Sequence, residues 1–374
     1  MDNFPSLPEQ QAEQMANVIL DRSMGLPFFV RQLMQNITPN MIETVDGKKR
    51  LSGMISPELM SATADTLIER SISAIPADLL SVLLISSFMT NTICVSTLAR
   101  LMKKISVTVN QSDVTITPIE GKQSPALTRS AIETLCEDAI KRKIFRHSGK
   151  YYYFVDDTMK EALNAKVTDE ALRKTIHFHI GRAKLSQIMA TKEEPPLGEL
   201  YETVRHVNLA LEQFKDSKYR NQAAKLNIRT AKSAAAVADF EASITYAKAA
   251  RKLLPDRESA SAEELELHWE AILIMNWVAF IANNVEVAIM TSKELTELAN
   301  TPFKQAVALR AQIAATEASV GDTKGIIEPA LQALKLVGVD TAGITAAHIF
   351  SNPDCADKLI AEVNAMMKGD PLYL

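Results

Sequence analysis

The residues that could carry chemistry are few, and their spacing matches no catalytic or metal site. His177 and His179 lie two residues apart in a helical pattern, so their side chains point about 200° apart and cannot share a metal ion. Asp156 and Asp157 could form an acid/base pair, but neighbouring residues at a helix start diverge, and acidic residues suit a first turn. We therefore expect structural histidines, capping aspartates, no metal and no catalytic residue.

The sequence contains no phosphate-binding loop. The nearest string, EGKQS at residues 120–124, lacks the first glycine of GxxxxGK[ST] and the hydroxyl residue after the lysine. The HExxH, GxSxG and EF-hand patterns are also missing, and no histidine is followed by the acidic residue and arginine of a histidine-kinase phosphoacceptor box. The sequence thus predicts a chain that is not an enzyme and holds no cofactor of its own.

One basic cluster could contact nucleic acid. Its members are Lys141, Arg142, Lys143, Arg146, His147 and Lys150. In a DNA-binding domain they would contact phosphates, but the preceding helix places Glu133, Glu137 and Asp138 on its outward face, where they would repel the DNA backbone. We expect a solvated or domain-facing patch. The tyrosines at 151–153 are expected to form a strand edge and core, and nucleic acid is not the expected partner.

Composition and charge are those of an ordinary globular protein. The 374 residues are 47% hydrophobic and 23% charged, with only 12 glycines, which favours helix and two or three domains, or one small domain with a repeat array. A net charge of −4 gives no general attraction to nucleic acid or anionic membranes. The three cysteines form no CxxC pair, and the apolar runs are too short or too interrupted to cross a membrane. We expect a cytoplasmic protein without a membrane partner.

The chain changes character at residues 144–182. Residues 144–155 predict a β-hairpin that turns at Gly149, and Asp156 then begins a helix. The preceding part predicts several helices, including one that begins at Ser56 and a buried one from Asp78. It also predicts a hairpin near residues 107–116 and a loop from Thr117 to Pro125. Helices followed by a helix and a β-hairpin are typical of a winged-helix domain, which we place at residues 56–157.

After this point the chain predicts helices almost to its end. The predicted helices span about residues 200–214, 220–236, 240–253, 262–283, 285–299, 303–319 and 326–337. Ala242, Tyr246 and Ala249 have the small-aromatic-small spacing of the second helix of a tetratricopeptide (TPR) repeat. The predicted fold is mainly α, with a small winged-helix domain containing a β-hairpin, followed by a TPR-like helical array at residues 158–374.

Five short motifs, in order, resemble those of STAND/AAA-type signalling ATPases. Residues 24–30 (MGLPFFV) resemble the GNPFF or GLPL motif that closes the nucleotide-binding module. Residues 151–157 (YYYFVDD) resemble the winged-helix motif FxHD or MHD, and residues 172–182 (LRKTIHFHIGR) resemble the LHxxIGR stretch that follows it. Residues 200–208 (LYETVRHVN) resemble LFDIVNHLN, and residues 330–340 (ALQALKLVGVD) resemble ALxxLGVD.

The resemblance covers the latter part of the predicted ATPase region of large hybrid Ser/Thr kinase–histidine kinase proteins. It implies that residues 1–55 contain part of the lid helices of the ATPase module. It also implies that the chain is a truncated paralogue, a gene fragment or a partial gene model. In the family a proline packs near adenine and a histidine reaches the phosphates. The resemblance places Pro27 and Asp156 at these two cofactor-binding positions. A carboxylate at Asp156 would repel phosphate, so both positions are expected to be degenerate, with ATP or ADP bound only if an upstream nucleotide-binding domain exists.

We therefore expect a non-catalytic regulatory fragment of a STAND-type ATPase, linked to kinase signal transduction. Its helical array would dock protein partners whose identity the sequence does not give. One alternative is a winged-helix transcriptional regulator that binds DNA through the basic cluster. Another is an ATPase whose phosphate-binding loop lies in a missing upstream segment.

Overall fold

The computed structural model describes most of the central part of the chain. The described residues are 42–45, 48–51, 64–89, 92–103, 105–110, 113–118, 127–191, 195–320, 326–342 and 344, with isolated residues between 13 and 34. The predicted nucleotide contact Pro27 and the helix start predicted at Ser56 lie outside them. The chain forms two compact units, Met1–Ala183 and Lys184–Leu374. The domain limits derived from the sequence stay predictions.

The described elements of the first unit include helices and short antiparallel strand pairs. In chain order they are β1 (Ile42–Val45), β2 (Lys48–Leu51), α1 (Ala64–Ser73), α2 (Ala77–Ser87), α3 (Val95–Met102), β3 (Ile105–Asn110), β4 (Asp113–Pro118), α4 (Arg129–Lys141), β5 (Phe145–Ser148), β6 (Tyr151–Phe154), α5 (Asp157–Ala165) and α6 (Glu170–Ala190). The last helix, α6, contains the boundary between the units.

Helix α2 lies at the centre of the first unit, as its nearly unbroken apolar sequence predicts. All of its residues from Leu79 to Ser87 are buried. The core around it continues through α5 to Ile176 and Ile180 of α6. Arg173 of α6 fixes the end of α5 by donating to the backbone oxygens of Asn164 (3.0 Å) and Val167 (3.1 Å). These bonds satisfy carbonyls that the helix end leaves without a partner.

The strands form three two-stranded pairs within the described residues, β1–β2, β3–β4 and β5–β6. The hairpin predicted near residues 107–116 is confirmed, but the loop predicted from Thr117 is wrong at its start. Thr117 pairs with Ser106, and Pro118 pairs with Ile105. Polar residues on both strands made the end of the ladder look like a loop in the sequence.

The second unit consists of helices joined by short turns over its described residues. They are α7 (Leu197–Leu209), α8 (Leu211–Lys215), α9 (Arg220–Ala236), α10 (Phe240–Leu253), α11 (Ala262–Ile281), α12 (Val285–Leu298), α13 (Pro302–Val320) and α14 (Ile327–Leu336). The predicted helices are confirmed except the first, which breaks at Ala210, where φ is −120°. Apolar residues on both sides of Ala210 continue the periodicity and hide the break.

The helices of the second unit pack as a succession of pairs. Consecutive helices from α9 to α14 contact each other. In addition, α7 contacts α9, α9 contacts α11, and α11 contacts α13. We call these four helices the first layer. The first helices of three successive pairs begin at Arg220, Ala262 and Pro302, so the repeat is about 40 residues long.

Two of the turns within pairs have the same geometry. Ala238 (φ 60°) precedes the cap of α10, and Asn283 (φ 54°) precedes the cap of α12. The caps, Asp239 and Asn284, donate their backbone N–H to Ala234 O (2.9 Å) and Ala279 O (2.8 Å) respectively. This six-to-one bond is typical of a Schellman turn, whose left-handed residue is usually glycine or asparagine. Asn283 suits that conformation, whereas Ala238 is strained by its Cβ atom.

We predict that Ala238→Gly raises the free energy of unfolding by about 0.5–1 kcal/mol, because glycine adopts a left-handed conformation without strain. Urea denaturation measures the change. Ala236→Gly is the matched control: this exposed residue has ordinary helical geometry, so the substitution should lower stability by about 0.5–1 kcal/mol. Equal destabilisation by both variants would contradict strain at Ala238.

Helix α11 begins with a capping box whose glutamate, Glu264, also forms an ion pair with Arg220. Glu264 accepts from the backbone N of Ser261 (2.8 Å) and from Arg220 Nη2 (2.5 Å). The backbone hydrogen bond from Ser261 is the main cause that lowers the pKa of Glu264 below its ordinary value of 4.5. A lowered pKa stabilises the fold above the unfolded-state pKa, and this stabilisation is lost as the pH falls through the folded-state pKa.

We expect the free energy of unfolding to fall less for Glu264→Gln than for the unsubstituted protein between about pH 5 and pH 3. Glutamine keeps one oxygen, which can accept the capping bond from Ser261 N, and it does not titrate. Denaturation at several pH values measures the two slopes, and equal slopes would show that Glu264 makes no contribution to acid sensitivity.

Candidate interaction surfaces

Where the structure describes the candidate site residues predicted from the sequence, these residues have structural roles. Asp156 is the N-cap of α5 and accepts from Thr158 N at 2.7 Å, which agrees with the capping prediction. His177 is buried and meets the Phe88 ring edge-on, with 5.4 Å between ring centroids. The described residues contain no group of three or more His, Cys, Asp or Glu side chains placed to hold a metal ion.

Two described thiols differ in environment. Burial raises the pKa of Cys136 to about 12, which keeps this thiol protonated. Burial also raises the pKa of Cys94, but hydrogen bonds with Ser96 and Thr97 outweigh it, and the net shift is downward. The Cys94 thiol contacts the Ser96 hydroxyl at 3.0 Å, and Cys136 lies near Glu133 and Glu137, so neither thiol is paired with a histidine base in the described part of the chain.

A cavity of about 380 Å³ lies beside the end of α10. It is lined by Lys248, Arg251, Lys252, Leu254, Pro255, Asp256, Arg257 and His268. The His268 Nε2 is already hydrogen-bonded to Pro255 O at 2.9 Å, and Glu294 binds Arg251 (2.6 Å) and Arg257. These pairings account for much of the local charge, and the lining shows no nucleophile next to a base.

The basic cluster lies on the end of α4 and on the β5–β6 hairpin. The outward side of this hairpin carries Arg146, Lys150, Tyr151 and Tyr153, which we call the hairpin face. The Arg146 guanidinium lies 5.7 Å from the centroid of the Tyr153 ring, and the Lys150 ammonium lies 5.3 Å from that of Tyr151. The cations are therefore held against the tyrosine rings.

Helix α4 next to this hairpin carries acidic side chains. Glu133 pairs with Arg129 (3.1 Å), and Asp138 pairs with Arg142 (2.9 Å). Glu137 lies 3.4 Å from the Tyr152 hydroxyl. Carboxylates thus lie along α4 beside the hairpin, and two of them are paired with arginines of the same helix.

In the second unit, an exposed row of glutamates on α11 is paired with both neighbouring helices of the first layer. The ion pairs are Lys225–Glu263 (2.6 Å), Lys232–Glu270 (3.0 Å) and Lys304–Glu266 (2.5 Å). Exposed pairs such as these add little stability, but they neutralise the glutamates on this side of α11. We call these residues the ion-paired row.

The same side of α11 becomes apolar toward its C-terminal end. Glu263, Glu270 and Trp277 follow one another at seven-residue intervals, so they lie within about 40° of each other around the helix. Trp277 is 42% exposed, and Phe280 and Ile281 are 48% and 45% exposed. These three side chains lie three and four residues apart and share a side of the helix. We call them the apolar patch.

The apolar patch was not predicted from the sequence. The stretch 271–281 has so few polar residues that the sequence indicated a buried helix. Most of α11 is buried, and only its last turns place large apolar side chains at the surface. Periodicity could not distinguish these positions, because apolar residues surround the helix on all sides.

Comparison with protein-family models gave no match, and comparisons with curated proteins and with solved structures gave none either. The resemblance to STAND/AAA-type ATPases is therefore one of five short sequence motifs alone. Among the described helices, none combines the length and hydropathy that crossing a membrane would need.

If capping is the role of Asp156, Asp156→Ala should lower the free energy of unfolding by about 1 kcal/mol, while Asp156→Asn should have a much smaller effect. Asparagine keeps an oxygen that accepts from Thr158 N, whereas alanine does not. Thermal or urea unfolding measures both variants. Unchanged stability in Asp156→Ala would show that the cap is unimportant.

Proposed function

We propose that this chain is a non-catalytic protein-interaction module that docks a partner protein on its helical array. The observation that carries the proposal is the apolar patch. Large apolar side chains exposed side by side form a contiguous patch, and the largest apolar patch on a protein is often an interaction site. Tryptophan is also among the residues that contribute most to binding when an interface buries it.

The contrast along α11 supports the proposal. In the ion-paired row, lysines from α9 and α13 satisfy the glutamates of α11. At the apolar patch, Trp277, Phe280 and Ile281 keep nearly half of their surface exposed. A partner that covered them would remove this area from water, which is favourable by about 25 cal/mol per Å². The partner is expected to present apolar side chains toward the patch.

Two finer descriptions of the fold belong to this proposal. The order α2, α3, α4, β5, β6, with the β3–β4 hairpin inserted between α3 and α4, suits a winged-helix domain. Ile93 supports it by pairing with Tyr152 through two backbone bonds of 2.9 Å, since a winged helix usually adds a short third strand to its hairpin. The repeated turns and helix pairs of the second unit suit a TPR-like array, in which neighbouring pairs bury each other's apolar sides.

The same proposal includes a role in signal transduction as a relative of STAND/AAA-type ATPases linked to kinases, in the cytoplasm. Its support is the order of the five motifs. The use of Asp156 as a helix cap is compatible with a nucleotide position that has lost its histidine. The alternative of a DNA-binding regulator has less support, because Arg129 and Arg142 are already paired with Glu133 and Asp138 rather than left to bind phosphates.

The proposed docking site can be tested by making the apolar patch polar. We expect the unsubstituted chain to capture a partner protein from an extract of its native cells. The variant Trp277→Ser with Phe280→Ser should fail to capture that protein. With that partner purified, the double substitution should weaken binding about 30-fold or more, because a buried tryptophan anchor commonly contributes 2 kcal/mol or more. Isothermal titration calorimetry measures the change.

The matched control is Met290→Ser with Phe303→Ser, two equally exposed apolar residues on α12 and α13. This variant should bind like the unsubstituted chain, and unfolding midpoints should show that both variants are folded. If the two variants bind the purified partner equally well, or if no captured protein distinguishes them, the patch is not the docking site.

A further inference from the structure

The two sides of the β5–β6 hairpin have different roles. Phe145 pairs with Phe154 and His147 pairs with Tyr152, and Phe145 and Tyr152 enter the core of the first unit. The intervening pair Arg146–Tyr153 points the other way, because side chains alternate along a strand. This alternation places the hairpin face on the side away from the core.

The cations of the hairpin face have no carboxylate partner in the described part of the chain. Arg146 and Lys150 contact tyrosine rings, and Lys143 is exposed at the turn before β5. By contrast, the cations of the ion-paired row each bind a glutamate. In a chain with a net charge of −4, this hairpin is therefore a local positive surface.

Within the described residues, no strand pairs with the outer edge of β5. Strand β6 is flanked by β5 on one side and by Ile93 on the other, and Tyr152 exchanges both of its backbone bonds with Ile93. Since backbone groups alternate in direction along an antiparallel strand, Arg146 and Ser148 point theirs toward β6. Phe145 and His147 then direct their backbone N–H and C=O groups to the outer edge of β5.

We propose that the hairpin binds an extended acidic segment of a partner protein, which adds as a strand along the outer edge of β5. Its backbone would bond to Phe145 and His147, as in other cases of strand addition. The Lys150 ammonium lies over the Tyr151 ring, and Tyr151 pairs with Ser148 of β5. Since Ser148 is two residues after Arg146, the charges of Arg146 and Lys150 lie about 7 Å apart along the strand. Acidic residues at alternate positions of an extended segment have the same spacing.

Nucleic acid fits this surface less well. The cations already cover one side of the Tyr151 and Tyr153 rings, which hinders stacking of bases on them. On the neighbouring helix α4, Glu133 and Asp138 are paired with Arg129 and Arg142, so this helix does not decide between a nucleic acid and an acidic segment.

The test uses the full chain and a fluorescein-labelled peptide of alternating glutamate and valine, followed by fluorescence anisotropy at low salt. We expect saturable binding that weakens as salt is added. Arg146→Glu with Lys150→Glu should weaken it about tenfold or more, because like charges then face each other. Arg146→Ala with Lys150→Ala should weaken it in the same direction and disturbs the fold less.

The matched control, Lys248→Glu with Lys252→Glu, makes the same charge change at two exposed lysines of the second unit and should leave the affinity unchanged. A peptide methylated at alternate backbone nitrogens cannot donate hydrogen bonds along one of its edges. If the peptide binds as an added strand along β5, this methylation should abolish binding. The proposal is overturned if no saturable binding occurs, if the hairpin variants bind normally, if methylation has no effect, or if a short oligonucleotide binds more tightly.

Discussion

Close packing through small side chains is the constraint on which the second unit depends. Helices α9 and α10 contact each other, and both bury a series of alanines, including Ala231 and Ala234 on α9 and Ala247 and Ala250 on α10. Alanine allows helix axes to approach closely, so little room remains for larger side chains between them. A helix pair of this kind has no large core of its own and is stabilised by its neighbours in the array.

Because the helices pack so closely, polar side chains buried between them form specific hydrogen bonds. The Ser243 hydroxyl donates to Ala231 O at 2.8 Å across the first pair, and Asn276 Nδ2 donates to Ala288 O at 3.0 Å across the next. Ser243 and Ala288 hold equivalent positions after their caps. The donor thus lies on opposite helices in the two pairs, while the bond between the helices is kept. An unbonded polar group at either position would destabilise the fold.

Much of the fold could be predicted from local sequence. The helix bounds, the turn at Gly149 and the cap at Asp156 depend on residues close together in the chain, and the structure agrees with them. The pairing of Ile93 with Tyr152 joins residues distant in sequence, and the break at Ala210 lies within a continuous apolar periodicity, so the local pattern gave no sign of either. The apolar patch escaped prediction for a related reason: an apolar sequence shows that a residue can be buried, but not that the chain itself covers it.

The function proposed here depends on whether a partner covers Trp277. The chain has two tryptophans, and Trp269 is buried beneath Lys304, so Trp269→Phe leaves Trp277 as the single reporter at the apolar patch. Its fluorescence should be measured in the Trp269→Phe chain, before and after a captured partner that lacks tryptophan is added. Docking on the patch predicts a shift of the emission to shorter wavelength, because the indole leaves water. Saturating binding with an unchanged emission of Trp277 would contradict the account.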